Sequence, residues 1–350
     1  MAAGVPLVTY ALTPAAATCI PVPKMLKREP FMVMKPDRRE FLKAAAAGAA
    51  GFAARAAGLG VLGAGAGAYA AAGAGTLSVT KLAENLILVS GAGGNVVACK
   101  GPEGVLLVDG GDAAHSAALL AAVKQALGGP VTVAFNTHWH WDHTGSNEAL
   151  RRAGVKLIAH ENTRLWLTEP VFEDWENRTY PARPQALPNA TFHKGVQKLS
   201  FGGTTVEYGW LPLAHTDGDI YVYFRDANVL VAGDVVSVGR YPVPDACTGG
   251  WTGGLMNATQ QLLGLVNDQT RIVPGTGAVQ SKADLAAEHD MLAALHEDLW
   301  QLMRKGMGPE DMIAAGATGK FDARWGNPDL FITNAYRGLY GHARELRGVV

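Results

Sequence analysis

Three imidazoles and a carboxylate crowd into six residues of the run Asn136-Thr-His138-Trp-His140-Trp-Asp142-His143-Thr-Gly145. Neutral imidazole nitrogen is a preferred donor for zinc and other borderline divalent ions, and carboxylate oxygen also binds them. In extended chain leaving a strand, His138 and His140 point to the same side. Two donors spaced two residues apart can then reach one ion. A turn after His140 would aim Asp142 and His143 at a neighbouring position. The chemistry implied is metal binding.

Such a cluster must be held by rigid elements. Asn85-Leu-Ile-Leu-Val-Ser90, Asn95-Val-Val-Ala-Cys99 and Gly104-Val-Leu-Leu-Val-Asp109 read as three successive strands with glycine-rich turns between them. Residues 113–127 have helical spacing and stop at Gly128-Gly129-Pro130. Val131–Phe135 is a strand leading into the histidine run, residues 147–153 a short helix and residues 155–159 a further strand. Residues 161–195 are polar, aromatic and Pro-rich. They read as a surface excursion, either a flap over a site or a plain long connection. Strand-like runs resume at 204–208, 210–213, 220–224 and 229–232. A helix over 253–266, a strand over 271–273 and a long helix over 281–303 follow. Leu285, Leu292, Leu295, Leu299 and Met303 form one stripe of that last helix. Two mixed halves of this kind predict an α/β protein, an αββα sandwich of two mixed sheets flanked by helices.

The His-x-His-x-Asp-His run resembles the signature of the metallo-β-lactamase superfamily, and the likeness extends to three further segments. Val108-Asp109-Gly110-Gly111 matches a Gly-rich turn after an Asp-ended strand. Ala214-His215-Thr-Asp217-Gly218-Asp219 matches a further His before a Gly-Asp pair. Ala232-Gly233-Asp234 matches a bridging Asp after a strand. The order fits, with 72 residues from His143 to His215 and 19 more to Asp234, and the match covers roughly residues 77–285. The resemblance implies that His138, His140 and His215 hold a first zinc ion. It implies that Asp142, His143 and Asp234 hold a second, with Asp234 bridging and Asp142 orienting a metal-bound hydroxide. The substrate is then expected to be a small molecule with an ester, thioester, lactone or β-lactam-type bond.

One position departs from that family. Its usual Pro-Gly-His-Gly turn is Pro274-Gly275-Thr276-Gly277 here. A threonine hydroxyl is a poor zinc donor, so the second ion is expected to bind weakly. The same departure keeps two other readings open: an iron-dependent sulfur oxidoreductase of this fold, and a metal-binding accessory protein without catalysis. His160 reads as structural. His115, His289, His296 and His342 read as surface residues, and His193 falls in the polar excursion. Trp139 and Trp141 alternate with the ligands and should pack away from the first ion. Arg240 and Tyr241 either contact substrate or anchor their loop.

The 350 residues carry a formal net charge of −1 that hides an asymmetry. Residues 1–70 hold eight Lys/Arg and three Asp/Glu, leaving 22 and 28 for the remainder. An acidic body is the wrong sign for a nucleic-acid partner. Asp37-Arg38-Arg39-Glu40-Phe41-Leu42-Lys43 resembles the twin-arginine export signal, with Asp37 in place of the leading Ser/Thr. A Gly/Ala-rich stretch and the small-x-small site Ala68-Tyr69-Ala70 follow it. Residues 1–70 therefore read as a leader and 71–350 as a single domain. The leader's expected partner is the twin-arginine machinery, and the expected destination is the periplasm or beyond. No stable membrane span is expected in the mature chain, because Leu, Ile and Phe are sparse in 44–70. Of the three cysteines, Cys19 lies in the leader, and Cys99 and Cys247 either pair or stay free.

Overall fold

The computed structural model describes residues 76–343. The twin-arginine motif, the Gly/Ala-rich stretch, Cys19 and the 70/71 division lie outside the described residues. The chain opens with a meander, β1 (Ser78–Ala83), β2 (Leu86–Ala92), β3 (Gly94–Gly101) and β4 (Gly104–Val108). Then come α1 (Ser116–Leu127), β5 (Val131–Phe135), α2 (Trp141–Thr144), α3 (Asn147–Arg152) and β6 (Lys156–His160). The predicted excursion holds α4 (Glu161–Trp166), the hairpin β7 (Val171–Glu173) and β8 (Arg178–Tyr180), and β9 (Ala190–Phe192). The second half comprises β10 (Val196–Phe201), β11 (Thr204–Trp210), β12 (Ile220–Phe224), β13 (Val229–Gly233), α5 (Thr252–Leu265) and β14 (Arg271–Pro274). It ends with α6 (Lys282–Arg304), α7 (Pro309–Ala314), α8 (Asp322–Trp325) and α9 (Asp329–Gly341).

The first sheet has the order β1-β2-β3-β4-β5-β6-β9 and the second β10-β11-β12-β13-β14. Both are mixed. β1 to β4 pair antiparallel, while β4, β5, β6 and β9 run parallel. β10 to β13 pair antiparallel, and β14 joins β13 in parallel. Strands buried on both faces read as continuous apolar runs, as in Ile220-Tyr-Val-Tyr-Phe224, where every residue is buried.

Three cores fix the layering. Leu106, Val108 and Phe135 of the first sheet meet Val206, Val222, Phe224, Val231 and Val273 of the second between the sheets. Leu119 and Val123 of α1 cover the outer face of the first sheet. Leu255 and Leu262 of α5, with Leu285, Leu292, Leu295 and Leu299 of α6, cover the second. Each such side chain contributes roughly 1.5–3 kcal/mol when withdrawn from water. A capping box starts α6, with Ser281 and Asp284 satisfying each other's backbone N–H groups. The αββα sandwich read from the sequence is the observed architecture.

Two sequence expectations need correction. Residues 161–195 are not simply a surface excursion, because β9 completes the parallel edge of the first sheet and Leu167, Val171, Tyr180 and Trp139 form their own buried cluster. The run 210–213 is not a strand. β11 ends at Trp210, and Leu213 takes φ +51° in a turn that lifts the chain toward His215. The sequence reading names no elements beyond residue 303, where α7 and α8 have six and four residues and α9 thirteen. No helix among the described residues is long and apolar enough to cross a membrane.

Candidate metal centre

The site sits where the parallel strands of both sheets end, the usual place for ligands in open α/β sheets. β5 ends at Phe135, and the chain continues in extended form through Thr137. Ile220 N, at the start of β12, donates to Thr137 O at 2.8 Å and so ties the second sheet to the histidine run. His140 caps α2, whose single turn carries Asp142 and His143. The turn is tight because Gly145 passes close to other backbone: a Cβ there would lie 2.1 Å from the Asp112 carbonyl carbon. His215 comes from the loop between β11 and β12, and Asp234 from the residue after β13.

These residues converge. Donor atoms of His138, His140, His215 and Asp234 all lie within 4.8 Å of one another, and so do those of Asp142, His143 and Asp234. His140 Nδ1 faces His215 Nε2 at 3.0 Å. Asp234 lies 3.4 Å from His143 Nε2 through one carboxyl oxygen and 3.8 Å from His215 Nε2 through the other. Its carboxylate thus stands between the two groups of residues. The six residues named from the sequence are thus brought together as two adjoining clusters that share Asp234.

Each histidine has its other ring nitrogen engaged elsewhere. His140 Nε2 donates to Asp245 Oδ2 at 3.1 Å, His143 Nδ1 to Asp109 Oδ2 at 2.8 Å, and His215 Nδ1 to the Val243 carbonyl at 2.7 Å. These partners can only accept, so the ring nitrogens facing them carry the protons. Thr137 Oγ1 donates to Asp109, which leaves it to accept from His138 Nδ1 at 3.1 Å. The inward nitrogens of His138 and His143 are fully buried and have no hydrogen-bond partner. Orphaned buried polar atoms are rare and call for an ion or water. The donor set therefore fits a divalent metal ion.

The electrostatics divide the four histidines into two pairs. Burial, followed by the neighbouring histidines, holds His138 well below the usual imidazole range, and burial with His140 pushes His215 down to about 4. Both are therefore neutral at physiological pH, the form that binds metal. Burial also opposes charge on His140 and His143, but their carboxylate partners outweigh it and lift both, His140 to about 9, so these two rings must each release a proton when an ion binds. Burial works against the Asp234 carboxylate too, yet the surrounding histidines hold it well below the ordinary carboxylate range. Asp142, 21% exposed, and Asp234, 17% exposed, form the open side of the site.

The turn that departs from the family pattern closes the second cluster. A Cβ on Gly275 would lie 1.8 Å from Asp234 Oδ1, so no larger residue fits there. Asn95 pins the turn, its N–H donating to Gly275 O and its side chain to Pro274 O and Gly277 O. The Thr276 hydroxyl accepts from Arg240 Nη2 at 2.8 Å. Tyr241 is a loop anchor, buried and donating to Asp322 at 2.7 Å.

Two functional neighbours escaped the sequence reading. Asp245 is fully buried and accepts from Cys247 N, Thr248 N, Thr248 Oγ1 and His140. Its sequence signal, an aspartate opening a short turn, is shared by many capping residues. Glu173 is buried beside Asp245, and that burial followed by the Asp245 charge pushes its carboxyl up to about 8. Asp109 was visible only through the family likeness. It takes φ +68°, a strained conformation that aims its carboxylate at Thr137 and His143.

The histidines set aside keep structural roles. His160 stacks on Trp210 and bonds the His193 carbonyl. His289 and His296 are not simple surface residues, since they pair with Thr259 and Thr252 between α5 and α6. Trp139 does not pack away from the cluster: its ring meets His140 edge to face at 4.6 Å between centroids, and its indole donates to Thr248. Cys99 is buried, Cys247 is exposed, and both are free.

A probable metallo-hydrolase of Bacillus subtilis (strain 168), YqgX, is 25% identical over 155 residues, which is 44% of this chain and 71% of that protein. A metallo-beta-lactamase type 2 of Bacillus sp. (strain 170) is 26% identical over 231 residues, 62% of this chain and 83% of its own. Among solved structures, a metallo-beta-lactamase from Pontibacter korlensis superposes with TM-score 0.52 at 23% identity, covering 62% of this chain and 99% of that one. The sec-alkylsulfatase Pisa1 from Pseudomonas sp. superposes with TM-score 0.58 at 18% identity, covering 75% and 50%. These superpositions establish a shared fold. The family model of the metallo-beta-lactamase superfamily matches residues 90–296, which encloses every residue of both clusters, and the chain belongs to that superfamily.

Proposed function

We propose that this protein is a zinc-dependent hydrolase acting on a small molecule through an ester, thioester, lactone or β-lactam-type bond. His138, His140, His215 and Asp234 would hold the first ion, and Asp142, His143 and Asp234 a second, weaker one. The observation that carries the reading is the pairing of the rings. Each of four buried histidines has one nitrogen tied to an acceptor outside the cluster and turns the other inward. Histidines that serve only as core packing use both nitrogens or stack, as His160 does. A divalent ion, when bound, acidifies water and polarises the oxygen of the group to be cleaved. The protein's own residues do the rest. Asp109, Asp245, Thr137 and the Val243 carbonyl fix the ring tautomers and orientations. Asp142, on the open side, is placed to orient an attacking water and to take its proton. The relatives called metallo-hydrolase and metallo-beta-lactamase support the reaction class.

The test is metal content followed by turnover. Purified protein loaded with zinc is assayed against a β-lactam, a lactone, a thioester and an aryl ester. Hydrolysis of at least one is expected, lost with a chelator and in His140→Ala. Iron as the native ion, or zinc-loaded protein inert to all four, would sink this reading in favour of an iron-dependent oxidoreductase or an accessory role. We also propose export by the twin-arginine machinery to the periplasm or beyond, on the strength of Arg38-Arg39 and the segment after it. Retained export of an Arg38→Lys, Arg39→Lys double variant would count against it.

A further inference from the structure

The hairpin of β7 and β8 has three residues per strand and belongs to neither main sheet. A two-stranded ribbon of that length is marginal by itself, so docking must hold it. Alternation along β7 turns Phe172 outward, 52% exposed, and Val171 and Glu173 inward. Val171 enters the aromatic cluster with Trp139 and Tyr180. Glu173 instead enters a polar pocket, buried to 1%, beside Asp245, His140 and Trp175. Burying a carboxyl group is unfavourable unless polar groups receive it. The groups that receive it are Trp175 and the pair His140 and Asp245, whose ring nitrogen and carboxylate oxygen lie within 4.8 Å of its own. Next along the chain, Asp174 accepts from Arg337 and from Cys247 Sγ, so this end of the hairpin rests on the same turn that carries Asp245.

The trio does not make a separate metal site. Asp245 already accepts from two backbone N–H groups, the Thr248 hydroxyl and His140 Nε2. A metal there would have to strip His140 of the proton that orients it. We propose that Glu173 is a positioning residue that docks the 171–180 hairpin on the back of the His140–Asp245 pair, so that hairpin seating and metal binding at His140 strengthen one another. This rests on the reading of His140 as a metal ligand. Because coupling is reciprocal, zinc should order the hairpin as much as the seated hairpin tightens zinc.

The experiment uses the whole protein, with zinc as the probe. Hydrogen exchange of residues 170–181 is followed in zinc-free and zinc-loaded protein, and zinc affinity is measured by competition with a chromophoric chelator. In the wild type, zinc should slow exchange in the hairpin severalfold. Glu173→Ala should weaken zinc about tenfold or more, shift the absorption bands of the cobalt-loaded protein, and abolish the exchange response. Glu173→Gln, which keeps shape and polarity, should recover most of the affinity. Phe172→Ala, on the outer face, should behave as wild type. Wild-type protein that binds zinc with no change in hairpin exchange overturns the proposal, as does Glu173→Ala with unaltered affinity and response. Should Glu173→Ala fail to fold, the wild-type exchange comparison and Glu173→Gln decide. Wild-type protein that binds no zinc would overturn the metal reading itself, and this inference with it.

Discussion

His140 Nε2 donates to Asp245 Oδ2 at 3.1 Å, and the opposite nitrogen of the same ring faces His215 Nε2 at 3.0 Å. One residue, 105 positions away in sequence, thus decides which lone pair of His140 is available to an ion. Asp245→Asn keeps the volume of the side chain while removing the charge that fixes this tautomer. Zinc affinity at the first position should fall roughly 10–100-fold, the usual effect of losing a carboxylate behind a ligating histidine. Chelator competition measures it. Wild-type affinity in a folded Asp245→Asn protein would mean that His140 needs no such support.

Gly275 is required for space rather than for backbone freedom. Its N–H donates to the Gly233 carbonyl and its own carbonyl accepts from Asn95, so the backbone cannot retreat. A methyl group there would overlap Asp234 Oδ1 and lie 2.9 Å from His143 Cε1. Gly275→Ala should displace Asp234, lower zinc affinity and activity by at least about tenfold, and cost roughly 1–3 kcal/mol of stability through overpacking. Gly264→Ala, where a Cβ meets nothing within 4 Å, serves as the control and should stabilise slightly. Equal behaviour of the two variants would show that the turn is more pliant than its hydrogen bonds suggest.

The ligands were legible in the sequence because their chemistry is local. His138, His140, Asp142 and His143 fall within six residues, and a glycine stands close to His215 at Gly218 and beside Asp234 at Gly233. The strands that aim them were legible because they are apolar on both faces. Glu173 and Asp245 were hidden for the opposite reason. Each is an ordinary acidic residue in a polar segment, and its role arises only when a small hairpin and a turn 72 positions later meet behind His140. The excursion 161–195 was misread for a related cause. Its aromatic residues do not alternate over a length that announces a strand, and β9 is only three residues long. Helices α7 to α9 pack through Met312, Trp325 and Phe331 onto a core whose other members are spread from Leu211 to Trp300. Local periodicity does not encode such contacts.

Thr276 bears on the second ion. Its hydroxyl already accepts from Arg240, a fixed cation, and offers little to a metal. Thr276→His replaces that hydroxyl with a ligating nitrogen and releases Arg240. The second ion should bind roughly tenfold more tightly or better, and zinc stoichiometry should move from about one toward two per chain. Isothermal titration of metal-free protein measures both. An unchanged stoichiometry would count against placing the second ion beside residue 276.

Glu288 of α6 supports the site from below and makes stability depend on pH. It is fully buried, and both its oxygens lie within hydrogen-bonding distance of Ser237 N, at 3.0 and 3.2 Å, three residues past Asp234. Burial pushes its carboxyl up to about 8, against the opposing pull of the Ser237 N–H and Arg324. The folded pKa lies above the unfolded one, so the folded state holds the proton more tightly. Its stabilising contribution is complete below the unfolded value of about 4.5 and declines as pH rises toward 8, by up to about 1.4 kcal/mol per pH unit. Above 8 both states are ionised and the loss is constant. Glu288→Gln keeps an oxygen for Ser237 but cannot ionise. The variant should match the wild type near pH 5, melt higher than it at pH 9, and show a flatter dependence between them. Thermal unfolding at these pH values gives the answer. Parallel curves for the two proteins would show that Glu288 reaches water or a cation when it ionises, and that the loop carrying Asp234 is anchored by something other than a buried neutral acid.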